Sequence, residues 1–240
     1  MILLSLERVG KRYPRGMGER TTLREVSLEV DSGEYVVVWG LRGSGRSTLL
    51  RIAAGIETPD EGVVRFAGRD LADHGIEILG EGIGYCQQTH PPGQGLRVVE
   101  QLTVTLLARG IAPARARTRA HAALERTEIA HCATLTTEEL DSGDAVRVAL
   151  ARTLVAEPQL VVVDEPTSGV ELADRDGILR LLRSLADEGI AVLASTGEAT
   201  GLSGADRTLV LGDGQLRGSL VPKLAPVVAL REAAGGRAGG

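Results

Sequence analysis

YVVVWGLRGSGRST, residues 35–48, is the stretch that decides the fold. Tyr35 to Trp39 form an unbroken apolar run, the pattern of a strand buried on both faces. The next nine residues, GLRGSGRST, fit G-x-x-x-x-G-K-[ST] at every position except one, where Arg46 stands for lysine. STLLRIAAG then reads as a helix that stops at Gly55. A buried strand, a glycine turn and a helix in that order cradle phosphate. Gly40, Gly43 and Gly45 let the backbone curl, so that the N–H groups of the Gly43–Ser44–Gly45 stretch point at a β-phosphate. Ser47 would set its hydroxyl on Mg²⁺, and Thr48 would hydrogen-bond near the α-phosphate. Arg46 keeps the charge of lysine but carries it on a wider planar fork, which can take phosphate bidentately and is not a conservative exchange at a tight site.

A second motif lies more than a hundred residues on. LVVVDEPTSG, residues 160–169, is another buried strand that delivers Asp164 and Glu165 at its C-terminal end, where open α/β sheets bind ligands. Asp164 is placed to hold Mg²⁺ through water; Glu165 is placed to orient an attacking water and accept its proton. Gln88 follows the strand IGYC and offers a neutral amide to the metal or the water. Tyr13 lies upstream on what reads as a loop edge. It either stacks on a flat base or packs as a surface tyrosine, and its own neighbours do not decide between the two.

Around these motifs the chain alternates strand and helix. Ile2–Val9 and Leu23–Val30 read as strands, VVRFAGRDL as a short strand and turn, and residues 172–187 as a helix. Ile190–Ser195 and Arg207–Leu211 read as further strands, the last ended by a GDG turn. Residues 98–134, rich in Arg and Ala with apolar residues at helical spacing, predict a helical lobe. GDAVRVALARTLVAEP predicts a helix ending before Pro158. The pattern is doubly wound α/β. The AAGGRAGG ending reads as a frayed tail.

Bulk properties exclude several classes. A formal charge of −5 provides no general basic surface, so no nucleic-acid partner is expected. Lysine is confined to Lys11 and Lys223 among 27 basic residues, which reads as coding bias. Cys86 and Cys132 make no disulfide framework and no CxxC zinc pair, which fits a reducing setting. The N-terminus lacks the three parts of a signal peptide, and no apolar run approaches the roughly 20 residues that cross a bilayer. Membrane contact is expected only through a partner.

Taken together, Gly40–Thr48, Gln88, LDSGDAVRVALAR (140–152), VVVDEPTSG (161–169) and TLVLGDGQL (208–216) resemble the nucleotide-binding subunits of ATP-binding-cassette (ABC) transporters, over nearly the whole chain. LERVGKRYPRGMGERTTLREVSLEV and GIETPDEGVVRFAGRDL look most like the lipoprotein-release and macrolide-export type. The resemblance implies a P-loop NTPase fold of the ABC type: a RecA-like α/β core, an N-terminal antiparallel β subdomain and an inserted helical lobe. The implied domain is residues 1–225, with the lobe at about 92–155 and a disordered tail at 226–240. It also implies Mg-ATP sandwiched between two head-to-tail domains, in a homodimer or a heterodimer, on the cytoplasmic side of the membrane. A transmembrane permease subunit docks near the loop of Gln88. By the same pattern Tyr13 matches the adenine-stacking aromatic, and Glu165 the catalytic carboxylate.

The departures from that family pattern are specific. Where the family has Leu-Ser-Gly-Gly-Gln, this chain has Leu140, Asp141, Ser142, Gly143 and Asp144, so a carboxylate at Asp141 replaces the serine that meets the γ-phosphate. Glu171 replaces a shorter acid at the dimer seam, and Gly197 stands where the family carries its switch histidine. His74, His90, His121 and His131 all lie elsewhere. These departures point to slow hydrolysis, or to an impaired subunit working beside an active sister. A soluble ABC-type ATPase of repair or translation would need a coiled-coil insertion, a zinc hook or a second cassette. A small-molecule kinase would leave residues 140–152 unexplained.

Overall fold

Alternation inside the short apolar runs builds the centre of the molecule. In the computed structural model, which describes residues 1–16, 18–73, 82–86 and 95–220, β3 (Tyr35–Trp39) lies between β8 (Ala191–Thr196) and β9 (Arg207–Gly212), parallel to both. β7 (Leu160–Val163) and β6 (Ile83–Cys86) extend the parallel sheet, and β10 (Gln215–Leu220) closes the opposite edge antiparallel to β9. Among the described residues the order is β10-β9-β3-β8-β7-β6. Val36, Val38, Leu160, Val162 and Leu193 join one apolar cluster; Tyr35, Val37, Val161, Val163 and Val192 join another. Each strand is therefore covered on both faces, which is why these runs contain no polar alternation.

The first face is covered by α1 (Arg46–Ala53), through Leu49, Leu50 and Ile52, and by a second sheet. That sheet is antiparallel and contains β1 (Ile2–Arg15), β2 (Gly18–Asp31), β4 (Glu61–Phe66) and β5 (Arg69–Asp70), in the order β2-β1-β4-β5. A lobe of two helices, α2 (Val98–Leu107) and α3 (Pro113–Arg126), has its own cluster. On α3 the buried residues are Ala116, Ala120, Ala123 and Leu124, so mostly methyl groups meet α2 and let the helices approach closely. Beyond them, α4 (Ser142–Leu154) shares itself between the lobe and the second face of the parallel sheet. Val148 and Ala151 pack into the lobe, while Val146, Leu150 and Leu154 pack with α5 (Leu172–Asp187). Each large side chain buried this way contributes about 1.5–3 kcal/mol.

One local expectation changes and another is extended. β1 continues to Arg15, so Tyr13 belongs to a strand, paired with Arg20, and not to a loop edge. The GDG turn ends β9, as expected, and the chain then returns along the sheet. Asp213 (φ 49°) and Gly214 (φ 75°) form a two-residue hairpin that returns the chain as β10. Both turn residues sit at positive φ, the geometry that Asp-Gly hairpins favour. Gln88 and the expected tail at 226–240 lie outside the described residues.

Candidate active site

The loop between β3 and α1 is shaped by glycine. Gly43 and Gly45 have φ of 80° and 107°, a region that side-chain-bearing residues rarely adopt. Packing excludes a side chain as well: a Cβ on Gly45 would lie 2.9 Å from the Thr22 carbonyl oxygen, and one on Gly40 would lie 2.5 Å from that of Leu211. Gly45 is the N-cap of α1 and no side chain caps the helix, so its first N–H groups face the loop's concavity. Arg20, on β2, braces the loop from outside by donating from Nη2 to the Gly43 carbonyl at 3.1 Å.

Facing the loop are the ends of β7 and β8. Ser195, fully buried on β8, donates from Oγ to Asp164 Oδ1 at 2.5 Å and accepts from the Glu165 backbone N–H at 3.1 Å. One hydroxyl thus orients both acids. Glu165 has a φ of 49°, left-handed backbone for a non-glycine residue, which costs on the order of 1–3 kcal/mol. Its carboxylate Oε1 is paired with Arg46 Nη2. Arg46 is 7% exposed and also donates from Nη1 to the Gly40 carbonyl at 2.6 Å. The residue expected to meet phosphate therefore spans from its own loop to the residue expected to activate water.

Tyr13 lies alongside α1. Its hydroxyl is 3.3 Å from Thr48 Oγ1, bonds to Glu57 Oε1, and accepts from Arg51 Nη2 at 3.3 Å, while Lys11 Nζ stands 5.7 Å from its ring centre. Burial alone would raise the pKa of Glu57, but the Tyr13 and Arg51 hydrogen bonds and the Arg51 and Lys11 charges outweigh it and hold it below the usual carboxylate value. For Lys11, burial pulls down while Asp60, Glu57 and Tyr13 push up, and the net shift is upward. These contacts fix the tyrosine where β1 borders the loop.

Tyr13, Gly43, Gly45, Arg46, Ser47, Thr48, Asp164, Glu165 and Gly197 line one cavity of about 1100 Å³. Its chemistry suits a polyphosphate with a divalent cation: backbone N–H groups, a guanidinium and an exposed Ser47 hydroxyl on the loop and α1 side, and the acid pair facing them. Ser44 Oγ, in the loop itself, is buried without a hydrogen-bond partner among the described residues, and Ser44 is not among the residues that line this cavity. Asp141, Ser142 and Gly143 do not line this cavity. Asp141 is the N-cap of α4 and accepts the Asp144 N–H at 2.8 Å. Nearby, Cys132 Sγ donates to Asp144 Oδ2 at 3.3 Å, which ties the lobe to the first turn of α4. Arg20 and Ser195 were missed by sequence reasoning. Neither carried a local signal: Ser195 meets the acids only through the pairing of β7 with β8, and Arg20 meets the loop only through tertiary packing.

A glycine loop between a central strand and a helix, facing an acid pair on a parallel neighbour, defines a P-loop nucleotide-binding domain. The profile of the family described as ABC transporter matches residues 23–168. The chain is 35% identical over 219 residues, covering 89% of it and 96% of the relative, to the lipoprotein-releasing system ATP-binding protein LolD of Pseudomonas syringae pv. tomato. Its fold matches the dimeric structure of MJ0796, a bacterial ABC transporter cassette, with a TM-score of 0.84 at 27% identity, covering 91% of this chain and 98% of that one. A dimeric post-hydrolysis state of the same cassette, bound to ADP and Pi, matches with a TM-score of 0.83 at 26% identity, with the same coverage of both chains. The chain belongs to the ABC transporter family, as an ATP-binding subunit similar to LolD.

Proposed function

We propose that this subunit binds Mg-ATP in the cavity between the glycine loop and the Asp164–Glu165 pair, and hydrolyses it slowly to drive a membrane-spanning partner. The observation that carries the reading is the convergence of Arg46, Ser47 and Thr48 with Asp164 and Glu165 on one cavity, from two segments more than a hundred residues apart. The loop N–H groups and Arg46 hold the phosphates. Ser47 and Asp164, with Gln88, would hold a Mg²⁺ ion, which would supply charge neutralisation at the phosphates. Glu165 takes the proton of the attacking water. Tyr13 offers its ring to the base.

The second half of the site comes from a partner cassette, identical or a sister chain, because Ser142 and Gly143 lie apart from the cavity. In that arrangement Asp141 brings a negative charge toward a triphosphate, which disfavours closure and slows turnover. Docking to a permease places the subunit at the cytoplasmic face of the membrane. The similarity to a lipoprotein-releasing system supports extraction or export as the direction.

Titration calorimetry with a non-hydrolysable ATP analogue and Mg²⁺ tests the reading. Binding in the micromolar range is expected, and Arg46→Ala weakens it by removing a charge-assisted partner worth about 1.5–3 kcal/mol. Folded protein that shows no binding at millimolar nucleotide overturns it.

A further inference from the structure

We propose that Arg46 and Gly197 are a single coupled exchange: the Arg46 guanidinium occupies the space that a side chain at 197 would need, and from there positions the Glu165 carboxylate. This rests on the ATP-binding reading of the cavity and deepens it, because it makes Arg46 both a phosphate ligand and the positioning residue for the water-activating acid.

Sterically, the two positions exclude each other. A Cβ built on Gly197 would lie 2.8 Å from Arg46 Nη1, 3.4 Å from Nη2 and 3.6 Å from Cζ. The guanidinium cannot withdraw cheaply, since it is buried and held by the Gly40 carbonyl and by Glu165. Gly197 is not among the residues at positive φ, so its backbone does not require glycine. The nearby guanidinium is what its missing side chain accommodates.

Electrostatically, the guanidinium acts on the acid. Glu165 sits on left-handed backbone, fixed at its N–H by Ser195, and Arg46 pairs with its carboxylate from across the cavity. A planar fork can reach a carbonyl, a carboxylate and a phosphate in fixed directions at once. An ammonium at the end of lysine is a single point and gives up that reach. Lysine with a larger side chain at 197, or arginine with glycine, are then two self-consistent sets. A mixed set either crowds the cavity or removes the guanidinium contact from the Glu165 carboxylate.

The test is a four-member cycle of wild type, R46K, G197H and R46K/G197H. It is read by calorimetry with the ATP analogue, by single-turnover hydrolysis, and by melting without nucleotide. R46K should keep analogue affinity within about threefold while its hydrolysis rate falls about tenfold, a split that a merely structural role would not produce. G197H should weaken analogue binding about tenfold and lower the melting temperature, and the double variant should recover both. G197A guards against misfolding: its penalty should be present in wild type and vanish in the R46K background. Effects that simply multiply overturn the coupling, as does R46K hydrolysing as fast as wild type. Wild type that binds no analogue fails the ATP reading itself, whereas wild type that binds normally with multiplying effects fails only the coupling.

Discussion

At the scale of single residues the site turns on Glu165. It combines strained backbone, a Ser195 contact at its N–H and a guanidinium at its carboxylate, so neighbours hold both its backbone and its side chain. Glu165→Gln keeps the size and removes the base. Hydrolysis should fall by about 10²- to 10⁴-fold, with analogue affinity retained, as measured by phosphate release and calorimetry. A rate close to wild type would assign the proton to another group. The acid itself was readable from the apolar run before it, because a buried strand delivers its next residues to the sheet's C-terminal edge. Its restraint by Ser195 was not, since the two residues are 30 positions apart and meet only through the pairing of β7 with β8.

At the scale of elements, α4 raises the question of what Asp141 is for. Its carboxylate caps the helix through the Asp144 N–H, and Asp144 in turn accepts from Cys132. Asp141→Ala should lower stability by about 0.5–2 kcal/mol in denaturant unfolding, the usual loss of an N-cap. Asp141→Ser keeps a capping oxygen while removing the charge, so stability should hold and steady-state ATPase should rise. A fall in ATPase with stability intact would mean that the carboxylate helps closure. A second element-scale device joins β1, α1 and the turn before β4 through Lys11, Tyr13, Arg51, Glu57 and Asp60. Glu57 is held below its ordinary value, so its contribution is present above the unfolded carboxylate value of about 4.3 and is lost as pH falls through the folded one. Melting temperature against pH should therefore drop less steeply on the acid side for Glu57→Gln than for wild type. Parallel curves would show that Glu57 does not titrate differently on folding.

At the scale of the whole molecule, three apolar clusters divide the chain, one on each face of the parallel sheet and one in the lobe, and α4 belongs to two of them. A shift of α4 would therefore move Ser142 and Gly143 relative to the glycine loop. Leu124 is fully buried in the lobe cluster. Leu124→Ala should cost about 2–5 kcal/mol while leaving single-chain nucleotide affinity within about twofold, by unfolding and calorimetry. A matching loss of affinity would show that lobe and core do not act as separable units. With Mg-ATP, Glu165→Gln should elute as a dimer in size-exclusion chromatography, and adding Asp141→Ser should increase the dimer fraction. A monomer under both conditions would point to a sister chain as the obligatory partner.

The sequence by itself determined what depends on neighbours along the chain. Four- and five-residue apolar runs bounded by turn residues read as strands buried on both sides, glycines at fixed spacing let the backbone curl, and the helix read at residues 172–187 is the observed Leu172–Asp187. The Asp-Gly hairpin before β10 and the cap at Asp141 were also local, and so were readable in principle. Tertiary structure alone decided the relation of Arg46 to Gly197. In sequence they stand as two unrelated departures, 151 positions apart (197 minus 46). In the fold, the parallel pairing of β3 with β8 brings the ends of those strands side by side, and a Cβ at 197 would sit 2.8 Å from the guanidinium. Whether two side chains can share one volume is a property of packing across strands, and no local pattern encodes it.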